Sequence, residues 1–426
     1  MVAAVGRALG EYARQIRDTG RNSKLYLSGL FLFGVGQAMF MLIFNLYLRS
    51  LGFADSGIGQ ILSKVSLGAA VAAIPAAFLF RGISTRTLLV AAGALAAVGC
   101  VFQATLTSPG LLLMVAFLSG MVITVFRLSI APVVMREADS GARPFLFSAS
   151  FGIFFLSAIV GSVAGGGLPQ LFRLVTDADQ LSLRWTLFAA SGITLLAVVP
   201  FFAMRESAEP GSPRATPGPM EQIRDFLEID WGLHFKLILP SALIGLGAGL
   251  IIPFLNLFFR DRFGLSESQI GILFGVMQGF MVVGNLFGPA VSRRLGLVRG
   301  VVVTQLASVP FMVLIALAPF FPVVAAAFFL RGGLMNMNQP LASHFAMEVV
   351  PERDHAVTNS LLALAWFVAW SVSADIGGAL IERHGYNPPL LLAAGLYVAA
   401  SILFWGFFKN VSEARVPRAE VEIPDA

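Results

Sequence analysis

Long apolar runs alternate with short polar segments along most of the 426 residues of this chain. A bilayer core of roughly 30 Å is crossed by about 20 helical residues, and twelve runs reach that length. Turn-forming sequences such as Ser108-Pro109-Gly110 separate neighbouring runs. The pattern predicts membrane-spanning helices over 25–49, 56–80, 86–107, 111–135, 145–168, 184–204, 235–259, 267–291, 299–320, 323–349, 357–382 and 388–409.

A longer polar segment, 205–234, divides the twelve spans into two groups of six. It combines four prolines with Glu, Arg and Ser, a composition typical of a linker. We therefore predict an amino-terminal bundle over 25–204 and a carboxy-terminal bundle over 235–409, with polar end segments over 1–24 and 410–426. The expected fold is an all-α membrane protein with twelve transmembrane helices in two six-helix bundles.

The two predicted bundles repeat each other in sequence. Asn45-Leu46-Tyr47-Leu48-Arg49 returns 211 residues later as Asn256-Leu257-Phe258-Phe259-Arg260, and Ile58-Gly59 returns 212 residues later as Ile270-Gly271. A nearly constant offset indicates two homologous, pseudo-symmetric halves. Membrane helices repeated in this way are typical of secondary transporters. Because the Asn-to-Arg segment ends a span in both halves, we expect it to have a structural role.

Composition indicates a membrane protein. Hydrophobic residues make up 57% of the chain and charged residues only 12%, whereas a soluble domain carries roughly 25% charged residues. The net charge of +5 comes from short basic tufts between apolar runs, so nucleic acid is not an expected partner. Twenty Lys and Arg residues fall on the same side as the termini and six on the other. This bias predicts a plasma-membrane protein with both termini in the cytoplasm.

The two groups of six spans, the polar linker and the matching halves resemble the major facilitator superfamily over almost the whole chain. The resemblance implies alternating access and a central path lined by spans 1, 4, 7 and 10. The family usually has an Asp between spans 2 and 3, but the loop from Phe80 to Arg86 has none, so its ionic contact is not expected here. In span 5, Gly152, Gly161 and Gly165 follow the spacing of an antiporter glycine motif, with simple helix packing as the alternative.

Charged residues inside spans need a reason, because each costs about 2.5 kcal/mol or more on insertion scales. Arg127 in span 4 shares a helix face with Thr124 and with small residues that leave room for a ligand. A planar guanidinium suits a carboxylate, sulfonate or phosphate, so Arg127 and Thr124 are candidate substrate contacts. The alternative is a structural arginine that extends toward the cytoplasmic surface.

Lys64 in span 2 and Asp375 in span 11 stand at similar depth. The resemblance implies that these spans face each other across the two bundles, so the two residues are candidates for an ion pair that shuts the outer side. Alternatively, Asp375 carries a proton, with a pKa set by burial and by the distance to Lys64. A third possibility is that Asp375 only reaches the outer interface beside Glu382 and Arg383.

Span 10 carries two polar faces, and the sequence does not decide which one lines the cavity. Asn336, Gln339 and Ser343 share one stripe and are candidate substrate contacts, whereas Arg331 lies on roughly the opposite side. Arg331 and His344 are candidates for coupling or gating, since a histidine can titrate near neutrality. A hydrogen-bonded helix contact is the alternative for His344.

Span 1 contributes Gln37 and Met41, which share a stripe with Phe44 and are expected to line the same cavity. A pocket with these residues would be partly apolar. It would therefore suit an amphiphilic solute, although stripes of Met and aromatic residues also serve as ordinary packing.

We therefore expect a secondary active transporter of a small organic solute, coupled to protons, with efflux of an amphiphilic or anionic compound favoured. The alternatives are an organic-anion uptake symporter and a transport-inactive receptor of the same fold. An enzyme is not expected, because the sequence lacks the metalloprotease, serine-hydrolase and phosphate-loop motifs. We expect neither a cofactor nor a metal. The expected partners are a small-molecule substrate, a coupling ion and the lipid bilayer, and the expected oligomeric state is a monomer.

Overall fold

A computed structural model describes residues 19–137, 143–176, 178–205 and 229–411. Throughout these residues the regular structure is helical. The twelve long helices are α1 Arg21–Ser50, α2 Asp55–Gly82, α3 Thr85–Thr105, α4 Pro109–Glu137, α5 Arg143–Arg173, α6 Asp179–Phe202, α7 Trp231–Phe263, α8 Glu267–Leu295, α9 Leu297–Leu317, α10 Phe321–Val349, α11 His355–His384 and α12 Asn387–Phe408.

Ten of these helices are long and apolar enough to cross a bilayer by length and composition alone. The other two, α2 and α10, have similar lengths of 28 and 29 residues. They pack into the same two bundles as the rest. The predicted all-α membrane fold, with twelve spans in two six-helix bundles, is confirmed.

Several helices extend beyond the predicted apolar runs. Helix α5 continues to Arg173, five residues past the predicted end, and α6 begins at Asp179, five residues before the predicted start. Helix α7 begins at Trp231 because the Asp230 carboxylate accepts hydrogen bonds from the first free N–H groups of the helix, at 2.9 and 3.1 Å. Hydropathy detects only the apolar middle of a helix, whereas backbone hydrogen bonding continues into polar end residues.

The predicted linker and end segments fall mostly outside the described residues. The undescribed parts are 1–18, 206–228 and 412–426. The last four residues of the predicted linker belong to α7.

Two sides of the bundles can be distinguished by the path of the chain. We call the side of Thr19 and Val411 the terminal side, and the side of the turn between α1 and α2 the loop side. The repeat predicted from sequence is also present in backbone geometry. Gly52 after α1 and Gly264 after α7 both have positive φ, 88° and 64°, a conformation that glycine adopts without steric cost.

The buried apolar residues show where the bundles join. On the loop side, one cluster contains residues of both bundles, from Met39 of α1 to Phe258 of α7. On the terminal side there are two separate clusters, one around Tyr26 and Phe201 in the first bundle and one around Phe345 in the second. The bundles are therefore packed together on the loop side and separate toward the terminal side.

Candidate functional site

The repeated asparagines meet at the centre of the loop-side contact. Asn45 Nδ2 donates to the Pro253 carbonyl at 2.6 Å and to Asn256 Oδ1 at 3.2 Å, while Asn256 Nδ2 donates to the Leu42 carbonyl at 2.8 Å. The two side chains are only 3% and 4% exposed. A buried polar group without its partner costs about 1–3 kcal/mol. The repeated segments therefore join the ends of α1 and α7 across the pseudo-symmetry axis.

Two pairs of glycines bring helices of opposite bundles into backbone contact. A Cβ added to Gly59 of α2 would lie 3.1 Å from the Cα of Gly378 in α11. A Cβ added to Gly166 of α5 would lie 2.9 Å from the Cα of Gly271 in α8. Each glycine of one pair stands 212 positions from a glycine of the other. The pseudo-symmetry thus makes the same close crossing twice, and small residues permit it.

An ion pair joins the α5–α8 crossing. Arg173 at the end of α5 donates to both carboxylate oxygens of Glu267 at the start of α8, at 2.9 and 3.1 Å. The Glu267 side chain is only 5% exposed, and Arg260 lies 3.6 Å from the same carboxylate. Two parallel hydrogen bonds to a planar guanidinium form the strong bidentate arrangement. We call Arg173 and Glu267 the loop-side ion pair.

A second cluster of charged residues lies where the end of α7 meets the start of α2. Arg49 pairs with Asp55 in its own bundle and lies 3.6 Å from Asp261 in the other. The Tyr386 hydroxyl donates to Asp261 at 2.6 Å. Burial, together with this hydrogen bond and the charge of Asp261, raises the pKa of Tyr386 well above its ordinary value. The hydroxyl therefore stays protonated and keeps donating to Asp261.

Helices α2 and α11 face each other, as the resemblance implied, but through serines. The Ser63 and Ser371 hydroxyls lie 3.0 Å apart, and Ser371 also donates to the Ser63 carbonyl at 2.9 Å. Nearer the loop side, the Glu382 carboxylate accepts the Ser56 N–H at 3.1 Å. These contacts join the bundles beside the Gly59–Gly378 crossing.

The predicted ion pair between Lys64 and Asp375 is not formed in this structure, although its loop side is closed. Lys64 is half-buried, and no ion pair involves it among the described residues. Asp375 is exposed between Val372 and Ile376, which are 49% and 47% exposed. Asp375 thus lies on the outer, lipid-facing side of α11. Helix rotation, which the sequence did not reveal, separates these two charges.

Arg127 faces the space between the bundles. It stands ten residues, or about 15 Å, before the terminal-side end of α4. Its guanidinium lies over the ring of Phe367, a residue of α11 in the other bundle, at 5.6 Å from the ring centre. The side chain is exposed, and within the described residues it forms no ion pair. Arg127 therefore lies next to α11 of the other bundle, and its contact with a substrate stays a prediction.

The other predicted contacts of spans 1 and 4 are divided between the cavity and the bundle interior. Met41 is 57% exposed in the middle of α1, a helix whose other faces are packed. Gln37 is half-buried and donates to the sulfur of Cys100 at 3.6 Å. Thr124 is 2% exposed and donates to the Gly120 carbonyl at 3.0 Å, against α2. Met41 is therefore exposed, as Arg127 is, and Thr124 is not.

Helix α10 exposes the stripe that contains Gln339 and Ser343. Asn336 is half-buried and donates to the Met281 carbonyl of α8 at 3.3 Å. His344 is 53% exposed, with Nε2 at 3.5 Å from a Glu348 oxygen one turn away. Of the two polar faces of α10, the stripe of Gln339 and Ser343 is the open one.

Arg331 lies inside the second bundle instead. It is 6% exposed, its Nη2 donates to the Tyr397 hydroxyl at 3.0 Å, and its guanidinium lies 5.6 Å from the centre of the Tyr397 ring. A neighbouring polar network holds α9, α10 and α12 together through Asn338 and Gln305. Arg331 is placed away from the space that Arg127 faces.

The glycine motif of span 5 coincides with packing contacts. Gly161 and Gly165 lie against the backbone of α1 near Val35 and Met39, whereas Gly152 faces open space. The first two positions therefore serve close helix packing.

Sequence reasoning missed the loop-side contacts, although one signal for them was present. Gly59 and Gly271 belong to the repeat, and Gly166 and Gly378 have the same 212-residue spacing. Repeated glycines in repeated helices indicate a contact made twice. No comparable signal existed for Arg173 and Glu267, because their pairing depends on how α5 and α8 meet.

Comparison with known proteins agrees with this architecture. The family model described as Major Facilitator Superfamily matches residues 26–374 and 237–424. An uncharacterized MFS-type transporter, YceJ, of Bacillus subtilis is 23% identical over 267 residues, covering 61% of this chain and 67% of the relative. A putative sugar efflux transporter of Deinococcus radiodurans is 25% identical over 283 residues, covering 61% of this chain and 70% of the relative.

A solved structure is similar across nearly the whole fold. The crystal structure of the nucleoside transporter NupG superposes with a TM-score of 0.74 at 14% identity, covering 91% of this chain and 99% of that one. At this identity the likeness concerns the fold alone.

Proposed function

Because the chain belongs to the Major Facilitator Superfamily, we propose that it is a secondary active transporter that exports an amphiphilic organic anion by alternating access, in exchange for protons. The observation that carries the substrate class is Arg127, an exposed cation without an acidic partner among the described residues, facing the other bundle between α4 and α11.

The chemistry of Arg127 supports an anionic group on the substrate. A guanidinium remains charged at any physiological pH, and its fixed fork of donors matches a carboxylate, sulfonate or phosphate. Because Arg127 is exposed, these donors can pair with such a group. A substrate anion would provide that pairing, and the ring of Phe367 beside Arg127 would contact its apolar part.

The conformation supports a site reached from the terminal side. The loop-side contacts and the common apolar cluster close the opposite side, while Arg127, Met41 and Gln339 are exposed. Given the basic bias of the terminal-side segments, we assign that side to the cytoplasm. In this orientation the protein would receive its solute from the cell interior.

The proposed direction is supported by one of the relatives. The Deinococcus relative is named as a putative sugar efflux transporter, which favours export, whereas the anionic class rests on Arg127 alone. Exchange for protons follows the sequence-based expectation; Asp375 is a carboxylate within α11 that no other described residue pairs, but it lies on the lipid-facing side of that helix.

Counterflow in proteoliposomes tests the proposal. Purified protein is reconstituted with an unlabelled anion inside, and uptake of the labelled anion is followed for wild type, Arg127→Ala and Arg127→Lys. Both variants should lose exchange of anions while remaining folded, because Lys lacks the planar fork. Arg294→Ala, at the terminal-side end of α8, is the matched control and should exchange normally.

Two results would contradict the proposal. Equal exchange by wild type and Arg127→Ala would remove Arg127 from the site. Binding of the anion without any exchange by wild type would indicate a transport-inactive receptor. Proton-driven accumulation in inside-out vesicles, compared with right-side-out vesicles, separates export from an organic-anion uptake symporter.

A further inference from the structure

A groove opens on the lipid-facing side of the first bundle, where α2 and α3 diverge over α4. The two helices leave a shared turn at residues 83–84, and each packs on α4 far more than on the other. The groove encloses about 230 Å³. The described residues that line it are all apolar, among them Ala72, Leu79, Leu88, Ala91, Leu95 and Val125.

The groove is shorter than the apolar half of one lipid leaflet and begins at its surface. From Ala72 to Leu79 it follows α2 over eight residues, a rise of about 10 Å. Leu88 stands in the first turn of α3, at the terminal-side surface. Leu79 and Leu95 are 40% and 58% exposed, so the groove is open along its side. One half of a bilayer core is roughly 15 Å deep, so an acyl chain can lie in this groove from the headgroup level inward.

An arginine stands at the terminal-side mouth of the groove. Arg136 Nη2 donates to the Phe80 carbonyl at 3.0 Å, and its Nη1 donates to Thr85 Oγ1 at 2.8 Å. These contacts place its guanidinium between the end of α2 and the start of α3, next to the groove-lining Leu79. Arg136 is in the last turn of α4, at headgroup level.

We propose that this groove binds an anionic phospholipid of the terminal-side leaflet, with one acyl chain between α2 and α3 and the phosphate on Arg136. A guanidinium has five N–H donors, and the two contacts of Arg136 leave donors free for phosphate oxygens. Assigned to the cytoplasmic side, this leaflet is also the one that carries anionic lipids.

The second bundle lacks the corresponding cation. The residue 212 positions after Arg136 is Glu348, whose carboxylate lies 3.5 Å from His344 instead. The position equivalent to Arg136 is therefore acidic in the second bundle, and the pseudo-symmetry provides an internal comparison.

The test measures thermal unfolding of the full chain in nanodiscs made with phosphatidylglycerol or with phosphatidylcholine of the same acyl chains. A titration of phosphatidylglycerol into the phosphatidylcholine discs gives an apparent affinity. Wild type should be stabilised by the anionic lipid, and Arg136→Gln should weaken the apparent affinity about fivefold, the effect expected of one basic residue near a membrane surface. Arg294→Gln, a basic residue at the end of α8, should leave the affinity unchanged.

A second pair of variants tests the groove itself. Ala91→Phe places a ring in the groove at an exposed position and should weaken binding, whereas Val98→Phe, on the exposed face of α3 outside the groove, should not. Arg136 also contacts the end of α2, so its replacement can lower stability in either lipid. The quantity compared is therefore the difference in unfolding temperature between phosphatidylglycerol and phosphatidylcholine discs. Arg136→Lys, which keeps the charge, should retain at least half of that difference.

Three results would overturn the proposal. Equal stabilisation of wild type and Arg136→Gln by phosphatidylglycerol would remove the arginine from the site. Unchanged binding by Ala91→Phe would show that no acyl chain occupies the groove. Equal stabilisation by inorganic phosphate at the same concentration would show that the lipid chain is not recognised.

Discussion

Replacing Glu267 by Gln should open the loop side. The carboxylate accepts two hydrogen bonds from Arg173, at 2.9 and 3.1 Å, and its side chain is only 5% exposed. Gln keeps the shape but loses the charge, and its NH2 group cannot accept the second hydrogen bond. The closed conformation therefore loses one charge-assisted contact that the open conformation does not have.

The size of the effect follows from the burial of the two partners. A hydrogen bond to a charged group contributes roughly 1.5–3 kcal/mol. The lower part of that range applies, because the Arg173 side chain is 30% exposed and water screens it. A loss of about 1.5–2 kcal/mol shifts the ratio of closed to open conformers by roughly 10- to 30-fold.

Distances between spin labels measure this ratio. Labels on Leu174 and Phe320, which are 82% and 70% exposed on the loop side of opposite bundles, should report a longer-distance population in Glu267→Gln. The labelled variants also carry Cys100→Ala, so that the native cysteine, which is buried, cannot react with the label. The control is Asp179→Asn, which removes the other acidic partner of Arg173, a 70% exposed residue within the same bundle.

The control should keep the wild-type distances. The reasoning is refuted if Glu267→Gln has the wild-type distribution, or if Asp179→Asn opens the loop side to the same extent.

Three further predictions concern the same side of the molecule. Asn45→Ala and Asn256→Ala should each destabilise the loop-side contact by about 1–3 kcal/mol, and the double variant by less than their sum, since both single variants remove the same hydrogen bond between the two side chains; additive changes in unfolding temperature would contradict this. Gly378→Ala should abolish transport because the new Cβ would lie 3.1 Å from the Cα of Gly59, whereas Gly395→Ala, with open space around it, should transport normally. For Tyr386 the raised pKa favours the protonated hydroxyl in the folded protein, so its contribution should be constant below about pH 10 and be lost only above it. The difference in label distance between wild type and Tyr386→Phe should accordingly stay constant from roughly pH 6 to 9. A difference that changes with pH in that range would contradict a protonated Tyr386 hydroxyl.

The sequence by itself determined the number of spans, their division into two bundles and the relation between the halves. A bilayer requires each crossing segment to be a helix of sufficient apolar length, so hydropathy is enough to locate it. The repeat from Asn45 to Gly59, which returns from Asn256 to Gly271, required no structure either. Arg127 was identified in the same way, because a charge inside an apolar helix stands out against its neighbours.

Only the tertiary structure decided which faces of these helices meet. Lys64 and Asp375 match in depth, but the rotation of α11 places Asp375 among exposed apolar residues. Arg331 and Arg127 look alike in sequence, yet one contacts Tyr397 inside a bundle and the other faces the opposite bundle. The partners of the loop-side ion pair are separated by 94 residues, and those of the asparagine pair by 211. Such pairings depend on the packing of whole bundles, since helix rotation is set by contacts between distant segments rather than by local sequence.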